Sequence, residues 1–147
     1  MGDALRSELW KMHNKAFAIN REICKKYAYI DKVKNFLESD GNVLFAYVFG
    51  SHVTGFLRKA SDLDVAVYFK HPPEDVDELV AYISELEKLC DRRIDLVILN
   101  KADPLLKREA INRGALIVCK DRGVLAKFKE RLMSELEEFY SLRGWIY

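Results

Sequence analysis

Along residues 1–40 the apolar side chains return every three or four positions. Leu5, Leu9, Met12, Ala16, Ile19 and Ile23 fall on one stripe of a helix, with Arg6, Glu8, Lys11, Lys15 and Arg21 elsewhere around it. The stripe extends through Tyr27, Ile30, Val33 and Leu37, with room for a break between Tyr27 and Asp31. Asp40, Gly41 and Asn42 stop the helix. The pattern then changes. Residues 43–49 are all apolar and β-rich, which predicts a buried strand closed by Gly50 and Ser51. Residues 52–59 fit a short helix or a turn, interrupted by Gly55. Residues 63–69 predict a second strand. It follows so closely that an antiparallel neighbour pair is expected, with a parallel crossover as the alternative.

His71, Pro72 and Pro73 punctuate the chain. Glu74 and Asp75 open a helix whose expected inner face is Val76, Leu79, Val80, Ile83, Leu86 and Leu89. Residues 94–99 form a third strand. Asp103 and Pro104 supply an N-cap and a first-turn proline for a helix that ends at Gly114. Residues 115–119 are a fourth strand. A last helix starts between Arg122 and Val124, with Leu125, Phe128, Leu132, Leu136 and Phe139 on one face. Strands alternating with helices give an α/β fold, a sheet of about four strands flanked by helices. The expected organisation is a single domain: a helical extension at 1–40, a core at 43–120 and a helix at 122–142.

Composition narrows the function classes. At 147 residues the chain buries a core without disulfides or zinc. With 24 basic and 23 acidic residues the net charge is +1, which argues against binding extended nucleic acid by bulk electrostatics. Cys24, Cys90 and Cys119 are widely separated and odd in number, so a reducing cytoplasm is the expected compartment. No apolar run is long enough to span a bilayer, and no membrane partner is expected.

The candidate chemistry lies in three acids set in apolar strands. Asp62 and Asp64 are two residues apart, so both side chains point to one face. Asp95 lies in the third strand. If that strand neighbours the second, the three carboxylates converge and repel one another unless a cation joins them. Oxygen ligands favour Mg²⁺, or Mn²⁺. The plainer alternative is that Asp62 and Asp64 end a turn while Asp95 pairs with Arg92 or Arg93. Gly50 lets backbone approach a ligand closely, and the turn that follows, with the Ser51 hydroxyl, can meet phosphate oxygens.

Gly50-Ser51, ten residues, Asp62-Leu63-Asp64 and a later Asp95 together resemble the nucleotidyltransferase superfamily related to DNA polymerase β. Phe49-Gly50-Ser51 and Ser61-Asp62-Leu63-Asp64 are similar to its minimal nucleotidyltransferases, the antitoxins paired with HEPN toxins. The resemblance runs from about Val43 to Lys120. It implies a polymerase β-like fold and catalytic, metal-binding Asp62, Asp64 and Asp95 with two Mg²⁺ ions. It also implies nucleotide-binding Gly50, Ser51 and Ser61. The implied reaction transfers a nucleoside monophosphate, AMP from ATP, to a hydroxyl, here a tyrosine of a HEPN ribonuclease toxin. The family often has an arginine before the glycine at 55, where this chain has Thr54; Arg58 or Lys59 are the candidate replacements, or else solvated loop charges. The alternatives are an antitoxin that inhibits by occlusion and a small-molecule nucleotidyltransferase. The N-terminal stripe serves either this chain's own core or a seam with a partner or second copy.

Overall fold

The computed structural model describes residues 3–4, 6–7, 17–55 and 62–142. Leu5, Leu9, Met12 and Ala16 of the N-terminal stripe lie outside these residues, as do Arg58, Lys59, Ser61 and the aromatic residues after 142.

The chain runs α1 (Arg21–Lys26), α2 (Ala28–Ser39), β1 (Val43–Phe49), α3 (Ser51–Thr54), β2 (Leu63–Phe69), α4 (Val76–Cys90), β3 (Ile94–Ile98), α5 (Pro104–Arg113), β4 (Ala115–Cys119) and α6 (Arg122–Leu142). The four strands form one mixed sheet in the order β3-β2-β1-β4. β1 pairs antiparallel with both β2 and β4, and β2 pairs parallel with β3 through the crossover helix α4. This confirms the close antiparallel pair and makes β3 the neighbour of β2.

Both sheet faces are covered, which is why the strands read as unbroken apolar runs. On one face Leu63, Val65, Val67 and Phe69 of β2 pack with Ile30, Val33 and Leu37 of α2 and Leu86 of α4. On the other, Phe45, Tyr47 and Ala66 pack with Ala110 and Ile111 of α5 and Leu125, Leu132, Leu136 and Tyr140 of α6. Each fully buried large side chain contributes roughly 1.5–3 kcal/mol.

Local signals set the ends. Asp75 Oδ1 accepts from Glu78 N at 2.8 Å, and Asp103 Oδ1 accepts from Leu106 N at 3.0 Å with Pro104 in the first turn. The N-terminal stripe departs from expectation. Residues 17–20 are not helical, and Asn20 starts a new helix by accepting from Ile23 N at 3.2 Å. Asn20 N also donates to Leu116 O at 2.8 Å, tying this segment to the free side of β4. Tyr27, extended at φ −125°, separates α1 from α2.

Two helix faces are also corrected. The inner face of α4 is Leu79, Tyr82, Ile83, Leu86 and Cys90, whereas Val76, Val80 and Leu89 are exposed. Val80 and Leu89 sit about 80–100° round the helix from that stripe, beyond the reach of the sheet. On α6 the last buried position is Tyr140 rather than Phe139, which is only partly covered. Cys24, Cys90 and Cys119 are all free thiols. No helix among the described residues is long and apolar enough to cross a membrane.

Candidate active site

The site forms where β1 ends and β2 and β3 begin. Asp64 stands in register with Asp95 on the parallel neighbour and with Phe49 on the antiparallel one. The ladder between β2 and β3 is already closed one residue earlier, where Leu63 N donates to Arg93 O at 2.9 Å. Strand periodicity puts Asp64 on the face of Ala66 and Tyr68, the face that carries α5 and α6. Asp64 is half-buried, and Asp62 and Asp95 are exposed.

The three acids interact unequally. Partial burial raises the Asp64 carboxyl first, and the charges of Asp95 and Asp62 raise it further, to about 6. Asp95 is the larger of the two charges acting on it. Asp62 acts on Asp64 through space.

Gly50 closes the site from the side of β1. Its backbone, at φ 74° and ψ −147°, lies in a region that side chains disfavour. A Cβ built on Gly50 would sit 2.1 Å from Asp64 Oδ2, so the missing side chain makes room for the carboxylate. Gly50 O accepts from Val53 N at 3.0 Å and Thr54 N at 3.1 Å, which winds Ser51 and its successors into the single turn of α3. Ser51 is half-buried beside this turn, and Thr54 ends it exposed to solvent. Of the expected site residues the structure thus gathers Gly50, Asp64 and Asp95 and keeps Ser51 and Asp62 next to them.

His52, directly after Ser51, turns inward. It is 3% exposed, with Nε2 2.6 Å from the Tyr29 hydroxyl and no hydrogen-bond partner for Nδ1 among the described residues. Its ring meets Tyr27 and Tyr29 edge-on, with centroids 5.2 and 5.5 Å away. The Arg92 guanidinium covers the Tyr29 ring at 4.6 Å. Burial, then the Arg92 charge, lowers the His52 pKa, and burial raises that of Tyr29. The pair is therefore a hydrogen bond between neutral groups. The available signals were a histidine directly after Gly50-Ser51 and two tyrosines at the break between α1 and α2. Nothing local links positions 23 residues apart.

Among the described residues no group of three or more His, Cys, Asp or Glu side chains is arranged to hold a metal ion as it stands. The donor chemistry of the carboxylates nevertheless fits a hard cation. Asp62, Asp64 and Asp95 offer only oxygen, and Asp64 is disfavoured as an anion by its two neighbours, the condition a divalent ion relieves.

A carboxylate pair in register across parallel strands is thus abutted by a strand-ending glycine on a mixed sheet. A family profile described as polymerase beta, nucleotidyltransferase matches residues 31–123, from within α2 to the start of α6. The chain belongs to this nucleotidyltransferase family. The fold is similar to that in a crystal structure of a toxin–antitoxin with AMP-PNP, with a TM-score of 0.67, 21% identity, and 78% of this chain and 91% of the other covered. It is also similar to a structure of a tri-AMPylated HEPN toxin from Shewanella oneidensis in complex with an MNT antitoxin. There the TM-score is 0.62 at 18% identity, over 79% of this chain and 89% of the other. A third, the toxin–antitoxin MntA-HepT, gives a TM-score of 0.62 at 18% identity, over 79% and 90%. No curated protein matches the chain.

Proposed function

We propose that this protein transfers AMP from ATP to a tyrosine hydroxyl of a HEPN-type ribonuclease toxin and thereby acts as its antitoxin. The observation that carries the reading is the Asp64–Asp95 pair packed against Gly50, in a chain of nucleotidyltransferase class. The similarity to MNT antitoxins, one of them bound to an AMPylated toxin, supports the choice of acceptor.

Asp62, Asp64 and Asp95 would hold Mg²⁺, and two such ions supply charge stabilisation to the entering and leaving oxygens of an in-line displacement. The chain's own part follows from its residues. Gly50, lacking a side chain, leaves room for the Asp64 carboxylate beside the turn, and the hydroxyls of Ser51 and Ser61 donate to phosphate oxygens. Asp95, exposed at the strand end, accepts the proton of the acceptor hydroxyl. The acceptor oxygen forms a bond to the α-phosphorus, the bond from that phosphorus to the bridging oxygen breaks, and pyrophosphate departs with the electron pair. In this reading residues 43–120 are the catalytic core of a cytoplasmic enzyme. In the same reading the helices α1, α2 and α6 recognise the acceptor.

Thr54, where the family often carries arginine, favours a second reading in which the chain inhibits its toxin by occlusion. One experiment separates them. The protein is incubated with Mg²⁺, ATP labelled at the α-phosphate and the HEPN protein encoded beside it, with Asp64→Asn as control. Label on the partner's tyrosine, lost in the control, establishes the transfer. A tight complex without label establishes occlusion.

A further inference from the structure

The turn that carries Ser51 is too short to hold its own shape. α3 has four residues, and its backbone bonds run from Val53 N and Thr54 N to Gly50 O and from Gly55 N to Ser51 O. Glycines flank it on both sides, Gly50 at φ 74° and Gly55 at φ 85°. One isolated turn fixes several backbone angles for few hydrogen bonds, so it persists only where side chains anchor it.

His52 is that anchor. It is the buried residue of α3, and its Nε2 lies 2.6 Å from the Tyr29 hydroxyl. Tyr29 belongs to the first turn of α2, a helix that Ile30, Val33 and Leu37 seat on the sheet with no exposed surface. Val53, next to His52, packs against the same core, as do Tyr27 and Tyr29. The bond therefore ties a one-turn helix to an element whose place the core fixes. Apolar packing alone would leave the rotation of the turn loosely defined. A hydroxyl and an imidazole nitrogen buried together define it, because leaving either unpaired costs about 1–3 kcal/mol.

These rings lie on the α2 face of the sheet, and Asp64 points to the other face. The imidazole is thus no ligand for the nucleotide. Its link to the site is the backbone. Ser51 precedes it directly, and Gly50, one residue further back, has its Cβ position 2.1 Å from Asp64 Oδ2. Rotating the turn would swing the Ser51 hydroxyl away and press Gly50 against the carboxylate.

We propose that His52 and Tyr29 are positioning residues for the nucleotide, whose mutual hydrogen bond holds the Gly50-Ser51 turn where the Ser51 hydroxyl meets the phosphate chain beside Asp64. The proposal rests on the nucleotidyltransferase reading above, in which Ser51 donates to phosphate oxygens. Tyr29 and His52 act through Ser51 and touch no substrate atom.

The test compares equilibrium binding of AMP-PNP and of AMP, each with Mg²⁺, to the full chain and its variants. AMP lacks the β- and γ-phosphates. Tyr29→Phe removes one hydroxyl and keeps the ring. It is expected to weaken AMP-PNP about 3- to 10-fold and AMP less than about 2-fold. His52→Phe is expected to match it, and His52→Gln, which returns a polar atom near Nε2, to recover part of the loss. In the transfer reaction the loss appears in KM for ATP more than in kcat. The decisive arm is a double-variant cycle with Ser51→Ala. If Tyr29 acts through Ser51, Tyr29→Phe costs less than about 2-fold once the Ser51 hydroxyl is gone. A folded Tyr29→Phe that binds AMP-PNP like the parent overturns the proposal. So do equal weakening of AMP and AMP-PNP and a loss that is undiminished in Ser51→Ala, either of which marks a merely structural role. Failure of the parent chain itself to bind AMP-PNP overturns the nucleotidyltransferase reading and this proposal with it.

Discussion

The Asp64 carboxylate occupies the space that a side chain on residue 50 would need, since a Cβ on Gly50 would lie 2.1 Å from Asp64 Oδ2. The two residues come from antiparallel strands, and Asp64 faces Asp95 across a parallel pair on its other side. The acid is thereby wedged between a glycine and a second acid at the end of the sheet. That placement costs stability in the free protein, as sites that store electrostatic and backbone strain generally do.

Gly50→Ala tests the wedge. The substitution combines a disfavoured φ of 74° with the clash at Asp64. It is expected to destabilise the fold by about 2–4 kcal/mol. Asp64→Ala removes the clash but not the backbone strain, so the double variant should be more stable than the sum of the single changes by about 1 kcal/mol or more. Urea unfolding of the four proteins measures the coupling. Strict additivity would show that the two residues do not share the space.

The raised Asp64 carboxyl has a pH signature in the metal-free protein. Its folded value of about 6 lies above the ordinary 3.8, so folding favours the protonated acid. The penalty is absent below about pH 4, builds between about 4 and 6, and is complete above that. Allowing for solvent screening of a half-exposed group, it amounts to about 1 kcal/mol, or roughly 2–4 °C in Tm. Asp64→Asn mimics the protonated form. Its Tm is expected to match the parent at pH 4 and exceed it at pH 8. A difference that stays constant across this range contradicts the assignment.

How much of this was legible in the sequence depends on the length over which each feature is encoded. Asp62 and Asp64 share a face by strand periodicity alone, and the caps Asp75 and Asp103 declare themselves within four residues. That Asp95 stands beside Asp64 depended on strand order, which the sequence left conditional. The role of Asn20 was encoded locally, as a polar residue ahead of Arg21 and Glu22, but the apolar stripe through Ile19 concealed it. Val80 and Leu89 misled because apolar side chains on a helix do not reveal how far round it the sheet extends. The Tyr29–His52–Arg92 contacts join three separate elements, and no period or motif connects them.

The far end of β2 offers a control on stability alone. Asn100 imitates a strand residue there: its Oδ1 accepts from Phe69 N at 2.9 Å, and its Nδ2 donates to Phe69 O at 2.8 Å. Asn100→Asp keeps the acceptor, removes the donor and faces a carboxylate toward Phe69 O. The expected cost is about 1–3 kcal/mol, at roughly 2–4 °C per kcal/mol. Phe69 lies about 17 Å along the strand from Asp64. Affinity for AMP-PNP should therefore stay within about 2-fold of the parent at a temperature where both proteins are folded. A large loss of binding would mean that the two ends of β2 are coupled.

The carboxylates themselves predict opposite effects on stability and on chemistry. If Asp62, Asp64 and Asp95 hold a divalent cation, Mn²⁺ or Mg²⁺ bound only by the folded state raises Tm, by an amount that grows with cation concentration. Asp64→Asn lifts the charge crowding in the metal-free protein and so starts from a higher Tm at pH 8. It also loses a ligand, so added cation should raise its Tm far less. The same variant should lose roughly 10³-fold or more of the transfer rate, because the residue acts on the charge that develops as pyrophosphate leaves. Asp95→Asn is expected to follow it in both respects, since Asp95 stands in register with Asp64 and its charge raises the Asp64 carboxyl. Thermal unfolding at pH 8 with graded Mn²⁺, alongside the labelled-ATP transfer assay, reads out both effects. A variant that is more stable without metal, blind to metal and inactive is the expected result. A cation response that survives Asp64→Asn and Asp95→Asn undiminished places the binding elsewhere and removes these acids from the proposed chemistry.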